Sequence, residues 1–156
     1  MSYWYSSGNA TLQSFESGAE KDIIVRTVTG GSLGQNGYID YRFIVKKTGG
    51  DGSTTIRIYF GGTLTFSFSI GASVSDPMLS RFTIQNRGAT NSQYCFMVVT
   101  RAADETGVAG TATVTAAAES LSIDTTQNQN IRITAQMGGS DDTLHIRGHL
   151  ALLEGT

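Results

Sequence analysis

Residues 53–70 read STTIRIYFGGTLTFSFSI, and the alternation in this stretch decides the fold. Ile56, Ile58 and Phe60 fall on one face of an extended chain, and Leu64, Phe66, Phe68 and Ile70 fall on one face after the glycine pair. Side chains of a strand repeat every two residues, so each half carries one apolar and one polar face. Gly61–Gly62 suits a two-residue hairpin turn. Such a turn alone would set Phe60 against Thr63, Ile58 against Thr65 and Ile56 against Ser67, mixing apolar with polar partners. A one-residue slip moves every side chain to the other face. Pairing Phe60 with Leu64, Ile58 with Phe66 and Ile56 with Phe68 restores the match. The sequence therefore predicts a three-residue loop over 61–63 or a bulge at the glycines.

The same alternation recurs outward from this hairpin. Upstream, Gly37–Lys47 puts Ile39, Tyr41, Phe43 and Val45 on one face and Tyr38, Asp40, Arg42 and Lys46 on the other. Ala10–Phe15 and Lys21–Val28 are further strand candidates, the latter with Ile24 opposite Ile23 and Val25. TGGSLGQNG at 29–37 and KTGGDGS at 47–53 are turn regions. Downstream, Pro77 fixes the backbone ahead of Met78–Arg87, where Phe82 and Ile84 point inward. Ser92–Arg101 is apolar on both faces, with Tyr94, Phe96 and Val98 against Cys95, Met97 and Val99. That pattern predicts a central strand or one covered on both sides. Val108–Ala118, Leu121–Asp124, Asn130–Met137 and Thr143–Leu153 complete the set, with Leu144, Ile146, Leu150 and Leu152 on one face of the last. The result is an all-β chain of about ten short antiparallel strands in a β-sandwich or jelly roll, with a closed barrel as the alternative. Residues 1–9 are set apart as an N-terminal arm, and 10–156 form a single sandwich domain.

Composition agrees and narrows the function classes. The chain has 156 residues, 39% of them apolar, with 19 glycines and one proline. That is enough chain for one domain with its own core. Only 15% of residues are charged and the net charge is -2, so there is no basic nucleic-acid footprint. Six arginines (57, 81, 87, 101, 132 and 147) alternate with apolar residues, as on sheet exteriors, and some suit contacts between subunits. No apolar run approaches the ~18 residues of a membrane helix. The N-terminus has neither the basic segment nor the apolar core of a signal peptide, which points to synthesis in a cytoplasm. Cys95 stands alone, so an intrachain disulfide and a cysteine-rich zinc site are excluded.

No catalytic constellation emerges. There is no GxSxG elbow, HExxH, Walker loop or GxGxxG, so the chain is expected not to be an enzyme, and no cofactor is expected. His145 and His149 share one strand face but lie ~13 Å apart by strand rise, too far to hold one metal. Cys95, between Tyr94 and Phe96, fits a small buried side chain. Asp51, Asp141 and Asp142 lie in glycine-rich turns; ordinary turn acids are the simpler reading than calcium ligands. Tyr3, Trp4 and Tyr5 crowd three rings onto the arm. They suit either an edge strand packed on its own domain or an interface with a neighbouring subunit.

Three stretches together carry a resemblance: SLGQNGYIDYRF with STTIRIYFGGTLTFSFSI, FTIQNRGATNSQYCF, and IDTTQNQNIRITAQMGGSDDTLHIRGHLALLE. NRGATNSQ and the closing Asp-x-x-x-x-Gln with Ile-Thr-Ala-Gln and Asp-Thr-Leu weigh most. In this order, over residues 20–154, they resemble a β-sandwich domain of tailed-phage virion proteins. That domain occurs at tips of tail fibres and tailspikes and in small proteins that decorate the capsid. The resemblance implies a jelly-roll-like homotrimer without an enzymatic role, and it brings no site residues with it. A chain that begins with Met1 and is one domain long looks most like a capsid decoration, or cement, protein. Its implied partners are further copies of itself and the major capsid protein or another virion protein, on a virion assembled in the host cytoplasm. A receptor-binding tip that holds a host surface saccharide is the alternative, with loops 88–91 and 138–142 as candidate contacts. A carbohydrate-active hydrolase is the third class.

Overall fold

The computed structural model describes residues 3–9, 13–14, 18–49, 52–71, 77–101, 114–139 and 143–153. Eleven strands are present among them. The first six are β1 Tyr3–Asn9, β2 Gln13–Ser14, β3 Glu20–Val28, β4 Tyr38–Thr48, β5 Thr54–Phe60 and β6 Thr63–Ile70. Then come β7 Met78–Asn86, β8 Gln93–Arg101, β9 Val114–Leu121, β10 Gln129–Met137 and β11 Thr143–Leu153. They form two sheets, a larger one ordered β1-β11-β4-β7-β8-β9, with β2 also on β11, and a smaller one ordered β3-β10-β5-β6. All pairings are antiparallel. Two separate sheets make a sandwich, not a closed barrel.

The strand order is that of a jelly roll. Let β1 and β2, which both pair with β11, count as the first strand, and set the β8–β9 hairpin aside. The larger sheet then runs first, eighth, third, sixth, and the smaller one second, seventh, fourth, fifth. Apart from the β5–β6 hairpin, strands adjacent in this count alternate between the sheets, the mark of two nested Greek keys. The β8–β9 hairpin is an insertion between the sixth and seventh positions. It widens the larger sheet beyond β7, and β9 comes back against β6.

The inward faces are those the alternation predicts. Ile39, Tyr41, Phe43 and Val45 of β4 and Phe82 and Ile84 of β7 are all 0–1% exposed. Opposite them lie Ile56, Ile58, Phe60, Ile131 and Ile133, each fully buried. Burying a side chain of this size stabilises by about 1.5–3 kcal/mol. Phe43 reaches across the sandwich to Phe68, with ring centroids 6.4 Å apart, and Tyr41 stacks on Phe82 at 5.3 Å. Tyr41 needs Gly148 on the neighbouring strand: a Cβ there would lie 2.8 Å from its hydroxyl.

The hairpin register resolves differently from expectation. Ile56 pairs with Phe68 and Ile58 with Phe66, as the buried pattern demands. The turn, however, is the two-residue one: Gly61 (φ 56°) and Gly62 (φ 82°) both occupy the left-handed region, and Phe60 faces Thr63. Both central residues of a type I′ turn require that region. The register is corrected further along, where the step from Ile58–Phe66 to Tyr59–Leu64 leaves Thr65 as an extra residue. The bulge turns Thr65 inward (6% exposed) and Leu64 outward (48% exposed), so Leu64 is not on the core face.

Candidate functional site

β8 lies between β7 and β9, central in its sheet as its two apolar faces imply. Its inner face, Cys95, Met97 and Val99, is buried. Of the two alternatives, a central strand or one covered on both sides, the first holds: no described residue covers the outer face, where Tyr94 is 43% and Phe96 41% exposed. The sandwich has two layers, and both are used in making the core. Ile44 and Leu79, paired across β4 and β7, are also about half exposed on this outer face.

The strand registers fix what surrounds these residues. Rows across β4, β7 and β8 read Tyr38–Gln85–Tyr94, Asp40–Thr83–Phe96, Arg42–Arg81–Val98 and Ile44–Leu79–Thr100. A shallow groove of about 290 Å³ lies on β7 and β8, lined by Arg81, Thr83, Gln85, Tyr94, Phe96 and Val98. Arg42 and Arg81 sit directly opposite one another, a pairing that repels when left uncompensated. Asp40 compensates it. Its carboxylate, 8% exposed as a residue, accepts from Arg81 Nε at 2.8 Å on one oxygen and from Arg42 Nη2 at 3.0 Å on the other. The bond to Asp40, and its charge, hold the Arg81 guanidinium still more firmly protonated. Arg81 Nη1 and Nη2, Thr83, Gln85 and the Tyr94 hydroxyl have no hydrogen-bond partner among the described residues.

The two motifs that weigh most in the sequence resemblance meet elsewhere, in a buried polar clasp. Gln93, 1% exposed, donates through Nε2 to Asn86 Oδ1 (2.9 Å) and Ile123 O (3.0 Å), and its Oε1 accepts from Ile123 N at 2.9 Å. The side-chain amide thus pairs with Ile123 as a neighbouring strand would. For this reason 122–124 is not the strand expected over Leu121–Asp124: β9 ends at Leu121. Asn86 donates to Gly34 O and to Thr125 Oγ1, and Thr125 donates to Thr90 O. Gln129 closes the loop onto Asp124 O at 2.7 Å, which accounts for the Asp-x-x-x-x-Gln spacing. Loop 88–91, a candidate ligand contact by sequence, supplies Thr90 O to this clasp.

The smaller sheet carries a second polar cluster on its outside. Glu20 accepts from Thr134 Oγ1 (2.7 Å), Tyr59 Oη (2.8 Å) and Arg57 Nη1 (3.0 Å), while Arg57 also donates to Gln136. Arg132 lies over the Tyr59 ring at 4.4 Å. The Thr134 hydrogen bond chiefly lowers the Glu20 pKa, with Tyr59, Arg57 and Arg132 adding to it against partial burial. Every group here is engaged, so the cluster ties β3, β5 and β10 together and offers no open ligand position.

The other sequence candidates disperse. Tyr3, Trp4 and Tyr5 belong to β1, whose backbone pairs with Leu153, Leu152 and Ala151 of β11; their side chains lie outside the described residues. Cys95 is fully buried, and burial, with a contribution from the Glu119 charge, pushes its thiol up to about 12. His145 is half-buried and pairs in register with Lys46, while the His149 side chain lies outside the described residues. Asp51, Asp141 and Asp142 also lie outside them. Among the described residues no three His, Cys, Asp or Glu side chains converge on a metal position. The groove escaped sequence reading because an apolar outward face and a second buried face give the same alternation.

No protein-family model matches the chain, and no curated protein matches it. Among solved structures, two of infectious bursal disease virus are similar. One, "Structure of infectious bursal disease virus Gx strain", shares 13% identity at a TM-score of 0.44 over 97% of this chain and 31% of its own. The Gt strain structure shares 13% identity at 0.43 over 97% and 33%. The chain thus spans about a third of the length of those proteins. A likeness of this degree carries no functional inference.

Proposed function

We propose that the chain is a structural protein of a tailed-phage virion: a homotrimer that decorates the head shell and stabilises it, made in the host cytoplasm. One observation carries this reading. The outer face of the larger sheet leaves Ile44, Leu79, Tyr94 and Phe96 each 41–50% exposed on three adjacent strands. Large apolar side chains gathered on one sheet face, here as two pairs on either side of the Arg42–Arg81–Val98 row, suit contact with a partner. The sequence resemblance to virion sandwich domains names the class of partner, and a trimer would repeat each weak contact three times. Binding only the assembled shell would stabilise it by mass action. No catalytic role is proposed.

The test is direct. Purified protein should sediment as a trimer, bind phage heads that lack it, and raise their resistance to heat or low salt. Leu79→Asp, at an exposed position, should fold normally and lose head binding. Failure of the unmodified protein to bind such heads overturns the reading. A second reading, a receptor-binding tail tip, is favoured by the groove with its unpartnered polar groups. Labelling of intact particles at tail ends instead of heads would select it.

A further inference from the structure

We propose that the groove on β7 and β8 is a binding site for a carboxylate-bearing saccharide. The inference rests on the second reading, in which the groove lies open to a ligand and is not covered by the head shell. The face has two separable ends: Ile44 and Leu79 form an aliphatic pair at one, and the groove holds the rings.

Four features point to an acidic sugar. The groove's volume, about 290 Å³, lies at the small end of ligand pockets, which run about 300–1,000 Å³. It suits one or two sugar rings better than a peptide helix or a nucleic-acid strand. Tyr94 and Phe96 stand two residues apart on one strand, a repeat of about 6.5 Å, and both are exposed in the groove lining. A sugar ring is amphipathic, with C–H bonds on its faces and hydroxyls around its edge, so it covers a ring without stranding polar groups.

The remaining lining supplies polar contacts that are otherwise unused. Thr83, Gln85 and the Tyr94 hydroxyl offer donors and acceptors with no internal partner among the described residues. Arg81 sets the charge preference. Asp40 holds its Nε at 2.8 Å and leaves Nη1 and Nη2 unengaged, a pre-oriented fork suited to a carboxylate. Arg42 and Arg81 together against Asp40 leave one net positive charge beside the rings. A polyanion would need a longer basic track than this.

The experiment is a heteronuclear NMR titration of the whole protein with methyl β-glucuronide, methyl β-glucoside, acetate and a glutamate-rich peptide. The glucuronide should shift the amides of Thr83, Gln85, Tyr94 and Phe96, with a Kd of about 1 mM. The glucoside should bind about tenfold more weakly. Arg81→Gln should abolish the difference between the two sugars, and Phe96→Ala should weaken both about tenfold. Leu64→Ala, on the other sheet, should change nothing. The proposal is overturned if neither sugar binds, if shifts appear away from β7 and β8, or if both sugars bind equally to the unmodified protein. It is equally overturned if acetate binds as well as glucuronide, or if the peptide binds more tightly through the same residues. Phe96→Ala removes only an exposed ring, so it remains informative should Arg81→Gln unfold the chain.

Discussion

Replacing Gln93 by alanine should be among the most damaging polar-to-apolar changes in this protein. The side chain is 1% exposed and bridges β8, the end of β7 and the segment after β9. Three of its hydrogen bonds are to buried or half-buried groups: Asn86 Oδ1, Ile123 N and Ile123 O. A hydrogen bond contributes about 0.5–1.5 kcal/mol net, but a buried group left without its partner costs about 1–3 kcal/mol. Ile123 is half-buried, so water reaches its amide in part and the lower figures apply to it. Asn86 is 1% exposed and its carbonyl would bear most of the penalty. The sum is about 3–4 kcal/mol, a large share of the 5–15 kcal/mol typical of a domain. Urea unfolding would show it as a lower midpoint at unchanged slope. Hydrogen exchange would localise it, with the Ile123 amide losing protection first. The double variant Asn86→Ala with Gln93→Ala should cost less than the sum of the singles, because the two amides stabilise each other. A loss below about 1 kcal/mol for Gln93→Ala would refute the reasoning, since it would mean that water replaces the amide without penalty.

Two further outcomes follow from the geometry. Gly61→Ala should destabilise more than Gly62→Ala: both force a left-handed residue, at about 1–2 kcal/mol, but only a Cβ at Gly61 meets the Ile123 side chain, at 2.6 Å. Equal urea midpoints for the two variants would contradict this. Glu20 binds its proton less readily in the folded chain than in the unfolded one, so its contribution is present above the ordinary glutamate range and is lost as the pH falls through its lowered native value. The stability gap between the unmodified protein and Glu20→Gln should therefore be wide at neutral pH and shrink in acid. A gap of constant size from neutral pH to pH 3 would remove Glu20 from the account.

The candidate site shows where sequence reading stops. Tyr94, Phe96 and Val98 form an apolar face in the sequence, and two apolar faces fit a central strand as well as one covered on both sides. The β8–β9 hairpin is an insertion that widens one sheet only, and no described element packs on its outside. The motifs NRGATNSQ and Asp-x-x-x-x-Gln were visible as a pair, but their meaning was not. Their amides and hydroxyls turn inward onto loop backbone, so they shape the fold and not the groove.

By itself the sequence determined the strands of the core and which side of each faces inward. Ile39 to Val45, Phe82 with Ile84, and Ile56 with Ile58 each alternate with polar residues, and a two-residue period has only one way to hide its apolar half. Tertiary structure decided the rest. The hairpin needed both a tight glycine turn and a matched core; the bulge at Thr65 satisfied both by exposing Leu64, a choice that depends on β5 pairing with β10 as well as with β6. The jelly-roll order joins residues more than a hundred positions apart, as in Asn9 beside Arg147, and no local pattern encodes such a pairing. Periodicity states that a strand has two faces. What lies over each face depends on the layers around it, and for β8 the described residues leave the ringed side exposed.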